Sequence, residues 1–348
     1  MVYFINNEVL QLNKGCDDVN IKNELISQEE LKKANEILNV LNDYYKKRIV
    51  GQEDLGISLI ISLMANGHIL LESVPGLAKT TAAKIITNAV NGDFSRIQCT
   101  PDLLPSDIIG GQIFNYAKSD FETNLGPVFA NFVLLDEINR SSAKTQSAML
   151  EAMQERQVTI GGTLYKMPDV FIVIATQNPI EQEGTYALAE AQMDRFLMKV
   201  KITYPSKEEE VMILDRLENN VFDDTSPVLT LDDVLFLQDL TKKVFVDNSI
   251  KKYITELVSA TRYPEKYLGK EISKYIEFGS STRGCIAFLD CSKAIAILKG
   301  RSYVTPDDVK DVAQRVLRHR IALSFTAIAE GITQEQVIDA ILKVVPTP

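Results

Sequence analysis

Three short stretches of the chain carry the residue types that phosphate chemistry needs. The first is HILLESVPGLAKTTAAKII, residues 68–86, where an apolar run leads through a turn with Pro75 and Gly76 into Lys79-Thr80 and an alanine-rich helix. That order suits a phosphate-binding loop. Backbone N–H groups and a helix N-terminus surround phosphate oxygens, Lys79 reaches the outer phosphates, and Thr80 ligates magnesium. The segment departs from G-x-x-x-x-G-K-[ST] at Ser73 and Ala78. Both residues are small, but a Cβ at Ser73 is strained if the loop needs a positive φ there. The bland alternative is a strand–turn–helix with an incidental lysine. The second stretch is FVLLDEIN, residues 132–139, four apolar residues closing on Asp136-Glu137. An acid at the end of a buried parallel strand points into the crevice where ligands bind. In a phosphate-loop enzyme Asp136 holds magnesium, directly or through water, and Glu137 polarises the attacking water. The third is FIVIATQNP, residues 171–179, ending in Thr176, Gln177 and Asn178. An amide there orients the water against the γ-phosphate, although alone an Asn before Pro179 reads as a turn.

These residues need a scaffold, and the surrounding pattern supplies one. Between Arg48 and about Ser206, short apolar runs alternate with helical segments. The runs are His68–Glu72, Arg96–Thr100, Phe132–Asp136, Phe171–Thr176 and Phe196–Ile202. Each is mostly apolar on both faces, which predicts strands of a parallel sheet covered by helices. After Tyr204-Pro205-Ser206 the pattern turns helical. Lys207–Leu217 reads as a helix, Thr230–Asp233 as a capping box, and segments near 249–262 and 283–299 as further helices. Thr305-Pro306-Asp307-Asp308 places a capping Thr, a Pro at the first helical position and acids in the first turn. Before the core, a helix is expected from Glu29 through Leu41. The resulting division is an N-terminal extension over 1–40, an α/β nucleotide-binding core over 41–206 and an all-helical domain over 207–348.

Composition narrows the possibilities. The chain has 348 residues, 45% hydrophobic and 24% charged, with 17 Gly and 12 Pro. These proportions fit a soluble globular protein and exclude a collagen-like one. The net charge of −10 opposes bulk attraction to nucleic acid. The four cysteines form no C-x-x-C pair, and two histidines give little basis for a zinc site. No uncharged run is long enough to span a bilayer, and the first residues lack the pattern of a signal peptide, so a cytoplasmic protein without membrane insertion is expected. Arg315, Arg318, His319 and Arg320 form one concentrated basic stretch. Without interleaved aromatics it reads as a solvated or intersubunit face.

Beyond the three stretches, the sequence resembles the MoxR family of AAA+ ATPases from about Arg48 to its C-terminus. The resembling segments include IVGQ (49–52), VPGLAKT (74–80), TPDLLPSDIIG (100–110), GPVFANFVLLDEINR (126–140), EAMQERQVTIGGTLYKMP (151–168), ATQNPIEQEGTYALAEAQMDRF (175–196) and VTPDDVKDVAQRVLRHRI (304–321). The resemblance implies a P-loop NTPase core with a parallel sheet flanked by helices, followed by a smaller all-α lid. It implies ATP and Mg2+ as cofactors. Ser73, Val74, Pro75, Gly76, Leu77, Ala78, Lys79, Thr80 and Thr81 correspond to the Walker A loop, with Val50, Gly51 and Gln52 lining the adenine pocket. Asp136 and Glu137 correspond to Walker B, with Thr80 and Asp136 on the metal. Asn178 resembles the sensor-1 residue, Arg195 the arginine finger offered to a neighbouring subunit, and Arg283 the sensor-2 residue that contacts the phosphates. The family has Gly at the place of Ser73 and accepts Ala78.

The resemblance also implies a homo-oligomeric ring, a hexamer, that remodels or activates partner proteins. A client or adaptor with a von Willebrand factor A domain and its metal-ion-dependent adhesion site belongs to that picture. Gly110–Asn124 and Gln157–Met167 correspond to two hairpins facing the pore or a partner, the second turning at Gly161-Gly162. The first is expected to interrupt the helix after the second strand. Two alternatives stand beside this reading. One is a nucleotide-dependent assembly scaffold with little hydrolysis, motivated by Ser73; the other is a chelatase-type or nucleic-acid AAA+ motor.

Overall fold

The computed structural model describes residues 26–74, 79–179, 186–218 and 226–348. The chain enters through helix α1 (Gln28–Arg48), whose start is fixed by a reciprocal Ser27–Glu30 capping box. Helix α2 (Glu53–Met64) leads into strand β1 (Ile69–Glu72), and helix α3 (Lys79–Ala89) into β2 (Phe94–Gln98). A five-residue helix α4 (Pro105–Ile109) precedes the hairpin β3 (Gly110–Asn115) and β4 (Asp120–Leu125). The helix expected to be interrupted here does not resume, because the chain turns at Gly126 and runs directly into β5 (Phe132–Asp136). After one 3-10 turn (Ile138–Arg140), helix α5 (Ala143–Glu155) leads to the second hairpin, β6 (Gln157–Ile160) and β7 (Thr163–Lys166). Its two-residue turn has positive φ at both Gly161 (57°) and Gly162 (84°), a geometry that favours glycine. Strand β8 (Ile172–Gln177), the short α6 (Glu190–Met193) and β9 (Met198–Lys201) complete the core.

All five strands expected from the sequence form, within one or two residues of their expected ends. They make one parallel sheet in the order β2-β5-β8-β1-β9. Period-2 alternation divides them between two apolar layers. Ile69, Leu71, Phe132, Leu134, Ile172 and Ile174 face one, whereas Leu70, Val133, Leu135, Val173 and Ala175 face the other. The two edge strands are exceptions: β9 gives Met198 and Val200 to the first layer alone and alternates them with Lys199 and Lys201, and β2 is only partly buried and carries Arg96 and Gln98.

The remaining helices are α7 (Lys207–Glu218), α8 (Leu231–Lys243), α9 (Asn248–Arg262), α10 (Pro264–Ser273), α11 (Thr282–Leu298), α12 (Pro306–Leu317), α13 (Phe325–Ala329) and α14 (Gln334–Val344). The capping box at Thr230 forms in full, whereas at Thr305 only the Asp308 carboxylate reaches back to the cap N–H. To the all-helical expectation the structure adds one small antiparallel pair, β10 (Ile276–Phe278) with β11 (Ala322–Leu323). Helix α1 runs unbroken across position 40, where the extension was expected to end. It buries Ala34, Ile37, Leu38 and Leu41 in the same apolar layer as α3, α8 and α11. Residues 1–25 lie outside the described part.

The basic stretch differs from expectation. Arg315, His319 and Arg320 are buried, and all four side chains are tied to partners distant in sequence. Arg315 meets Asp54 and Ser58, and Arg318 meets Glu335. Arg320 bonds Asp194 and the carbonyls of Phe196 and Leu197, and His319 bonds the Phe196 carbonyl. The stretch is a seam joining α12 to the core. It is neither a solvated face nor a nucleic-acid surface.

Candidate functional site

Parallel strands end together, so the polar residues at their carboxyl ends collect along one edge of the sheet. Gln98 lies in register with Asp136, and Glu72 with Gln177 on one side and Lys201 on the other. Thr80, on the first turn of α3, brings its Oγ1 to 3.5 Å from Asp136 Oδ2. Thr81 beside it is exposed. Pro75, Gly76, Leu77, Ala78 and the Lys79 side chain lie outside the described residues.

Asp136 is buried, and both of its carboxylate oxygens are engaged. Thr176 Oγ1 donates to Oδ1 at 2.8 Å, and Arg96 Nη2 to Oδ2 at 2.6 Å. The same Thr176 oxygen accepts from the Glu137 backbone N–H, also at 2.8 Å. One hydroxyl therefore ties the two acids together. Glu137 is held with φ 58° and ψ 53°, a left-handed conformation that costs a non-glycine residue roughly 1–2 kcal/mol. This turn directs the chain out of β5, and the Glu137 carboxylate accepts from Gln98 Nε2 (3.3 Å) and Arg140 Nη1 (3.1 Å). Asn178 is buried one strand further along, and its carbonyl accepts from Asn139 Nδ2 at 3.4 Å. Cys99 follows β2 with its N–H on the Asp136 carbonyl. Burial, reinforced by the nearby Asp136 and Glu137 charges, pushes its thiol up to about 12, so it stays a neutral neighbour.

Ser73 continues β1: its N–H donates to the Gln177 carbonyl at 3.2 Å and its hydroxyl to the Val74 carbonyl at 2.7 Å. The non-glycine residues with positive φ among those described are Gln52, Asn66, Ser119, Glu137 and Arg156. Ser73 is not one of them, so its Cβ carries no backbone strain. The expectation of a strained loop entry is corrected.

Residues 49–52 sit at the same edge. Gly51 and Gln52 both have positive φ (65° and 54°), and Gln52 Nε2 donates to the Thr203 carbonyl just past β9. Arg216 on α7 braces the turn through the Ile49 carbonyl. Val50, Gly51 and Gln52 line a cavity of about 950 Å³ with Ile57, Glu209 and Met212.

Arg195 and Arg283 do not join this cluster. Leu197 N–H bonds the His68 carbonyl and Met198 pairs with Ile69, so Arg195 lies at the amino edge of the sheet. Helix α5 runs back to that edge, where its Met153 carbonyl meets His68. Arg195 bonds the Leu150 carbonyl on α5, and Arg283 bonds Gln154 and approaches Asp194 at 3.7 Å. A five-residue strand spans ~13 Å at about 3.3 Å per residue, which separates the two arginines from Asp136 and Glu137.

Thr80 and Asp136 offer hard oxygen donors close enough to share one small cation. That donor set fits magnesium. Among the described residues no three His, Cys, Asp or Glu side chains form a metal cage of their own.

The comparisons agree with this geometry. Residues 68–198 match the family model for the ATPase family associated with various cellular activities (AAA), and residues 269–341 match that for the AAA lid domain. The chain is 46% identical over 303 residues to Chaperone MoxR1 of Mycobacterium tuberculosis, covering 87% of this chain and 80% of that protein. The chain belongs to the MoxR family of AAA+ ATPases. Another MoxR relative, Protein MoxR of Paracoccus denitrificans, is 29% identical over 86% of this chain and 93% of its own length. A crystal structure from Cytophaga hutchinsonii, provisionally assigned as an ATPase, superposes with a TM-score of 0.86 at 46% identity. It covers 92% of this chain and 98% of that one. Membership fixes the sheet with its bound helices as the AAA+ core and the C-terminal helices as its lid. Among the described residues no helix is long and apolar enough to cross a membrane.

Sequence reasoning missed Arg96, Gln98 and Arg140, and left Thr176 without a role. Arg96 and Gln98 occupy alternate positions of β2 and share one face. Two long polar side chains on one face of a strand of the sheet were the available signal.

Proposed function

We propose that this chain hydrolyses ATP with magnesium, in a ring of identical subunits, to remodel or activate a partner protein. The observation that carries the reading is the division of the site between two edges of one sheet. At the carboxyl edge, Thr80 and Asp136 hold the metal, which when bound draws charge from the phosphates. Lys79 neutralises the outer phosphates, Glu137 takes a proton from the attacking water, and Asn178 orients it. Val50, Gly51 and Gln52 line the adenine end. At the amino edge, Arg195 and Arg283 reach a nucleotide only when a neighbouring copy brings one. This favours a ring, a hexamer in keeping with the family, over a self-sufficient monomer. The two hairpins expose Ile113, Tyr116, Phe121 and Leu164, a surface suited to a client or to an adaptor with a von Willebrand factor A domain.

The scaffold alternative loses its motive, since Ser73 is unstrained, and the buried basic seam removes support for a nucleic-acid motor. Mixing variants tests the proposal. Arg195→Ala should bind ATP nearly normally and hydrolyse it poorly, while Lys79→Ala should not bind it. Mixed subunits should regain partial turnover, because Lys79→Ala copies still offer Arg195. An absence of rescue in samples that demonstrably co-assemble refutes the division of the site.

A further inference from the structure

Asp136 does not wait for a cation with open oxygens. Oδ2, the oxygen 3.5 Å from Thr80 Oγ1, already accepts from Arg96 Nη2 at 2.6 Å. Oδ1 is taken by Thr176. The two partners differ in freedom. Thr176 is fully buried, whereas the Arg96 side chain is 46% exposed and stands on the edge strand. It can swing into solvent without disturbing the core. The same Nη2 also donates to Gln98 Oε1 at 3.0 Å, and Gln98 Nε2 reaches Glu137.

Resting on the proposed magnesium role of Thr80 and Asp136, we propose that Arg96 is a positioning residue that stands in for the cation on Asp136 and must leave Oδ2 before the metal is held there. A buried carboxylate with no partner is costly, so a guanidinium on Oδ2 keeps the metal-free carboxylate paired and in place. Two cations on one oxygen repel each other in a partly desolvated site. Arg96 and the metal therefore compete, and Arg96 sets the metal concentration at which the site fills.

The test uses Mn2+ with ADP as probe, following free Mn2+ by electron paramagnetic resonance, so that no turnover is needed. Arg96→Ala and Arg96→Gln should bind Mn2+ about three- to tenfold more tightly than the unaltered chain, the range for a charged hydrogen bond discounted for its half-exposed donor. Arg96→Lys, which keeps the cation, should return near the original affinity. ADP binding without metal should change by less than about twofold in all three. Two controls separate direct contact from general charge. Arg140→Ala removes a cation from Glu137 but not from Asp136, and Gln98→Ala cuts the link to Glu137 and one acceptor of Arg96 Nη2 while leaving the Arg96 charge on Asp136. Neither should tighten Mn2+ binding more than about twofold.

Unchanged or weaker Mn2+ binding in both Arg96→Ala and Arg96→Gln overturns the proposal, as does an equal gain in Arg140→Ala. If Asp136→Ala retains full Mn2+ affinity, the magnesium site itself is misassigned and the proposal falls with it. If Asp136→Ala loses the metal while the Arg96 variants do nothing, only the competition is refuted.

Discussion

Replacing Thr176 with valine removes one hydroxyl and keeps the outline of the side chain. That hydroxyl is fully buried and makes two contacts of 2.8 Å, donating to Asp136 Oδ1 and accepting from the Glu137 N–H. Losing a hydrogen bond to a buried carboxylate costs about 1.5–3 kcal/mol, and orphaning a buried backbone N–H about 1–3 kcal/mol. The two losses share one atom and do not add fully, so about 3 kcal/mol of destabilisation is expected. The functional effect should exceed the structural one. Glu137 occupies a left-handed conformation only because its surroundings hold it, and this hydrogen bond is part of that hold. Without it the carboxylate drifts, and turnover should fall on the order of 10- to 100-fold while nucleotide affinity changes little. Urea unfolding followed by two probes, with steady-state ATPase and ADP titration, measures all three quantities. Thr176→Ser should recover most of the loss. A Thr176→Val protein within about 1 kcal/mol of the original stability, turning over normally, would show that the bridge holds neither acid.

Ser73→Gly should leave turnover within about twofold and cost about 0.5–1 kcal/mol of stability, because an unstrained extended residue gains only disorder from glycine; a clear rise in rate would restore the strain argument. Asp308 is fully buried, and although burial alone would raise its pKa, hydrogen bonds from Arg301, Thr305 and Lys299 hold it below the usual range. Asp308→Asn should destabilise the chain by about 2–4 kcal/mol, less than a fully enclosed pair because Arg301 and Lys299 reach water, and urea titration measures it. His68 is buried and neutral, its pKa lowered from 6.5 to about 3 by burial first and by Arg156 second. A depressed folded pKa means that the unfolded chain binds the extra proton, so this stability is complete above pH 6.5 and is lost as the pH falls towards 3. At pH 5 the loss is about 2 kcal/mol. Melting temperatures from pH 7 to 5 should fall less steeply in His68→Gln.

The sheet was legible because central parallel strands covered on both faces are apolar up to their carboxyl ends, as β1, β5 and β8 are, and such runs separated by helical periods admit few other folds. Asp136 and Glu137 were legible for the same reason, as charges that abruptly end a buried run. The polar residues of β2 were harder to read. Arg96 and Gln98 look like the solvated face of an edge strand until the neighbouring strand places Asp136 within reach. The fate of the stretch from Arg315 to Arg320 was not legible at all. Four basic residues within six positions suggest exposure, and only the fold brings Asp54, Asp194, Glu335 and the Phe196 carbonyl to meet them. Ser73 failed for a different reason: a backbone conformation cannot be read from the residue type that tolerates it.

Asp194 connects these observations. Its carboxylate accepts from Arg320 Nε at 2.8 Å and Ser281 Oγ at 2.6 Å, and it faces Arg283 at 3.7 Å. Ser281 caps α11 and Arg320 follows α12, so one acid fastens two lid helices to the segment that carries Arg195. The lid is therefore joined at the amino edge to both arginines proposed to act on a neighbour. At the carboxyl edge, α7 and Arg216 brace the turn at residues 49–52, beside the strand ends that carry the acids. On the proposed reading, a displacement of the lid relative to the sheet would shift the wall of a subunit's own cavity and also move the arginines that the same subunit presents to its neighbour. The nucleotide a subunit holds and the arginines it offers would then be linked through contacts within a single chain.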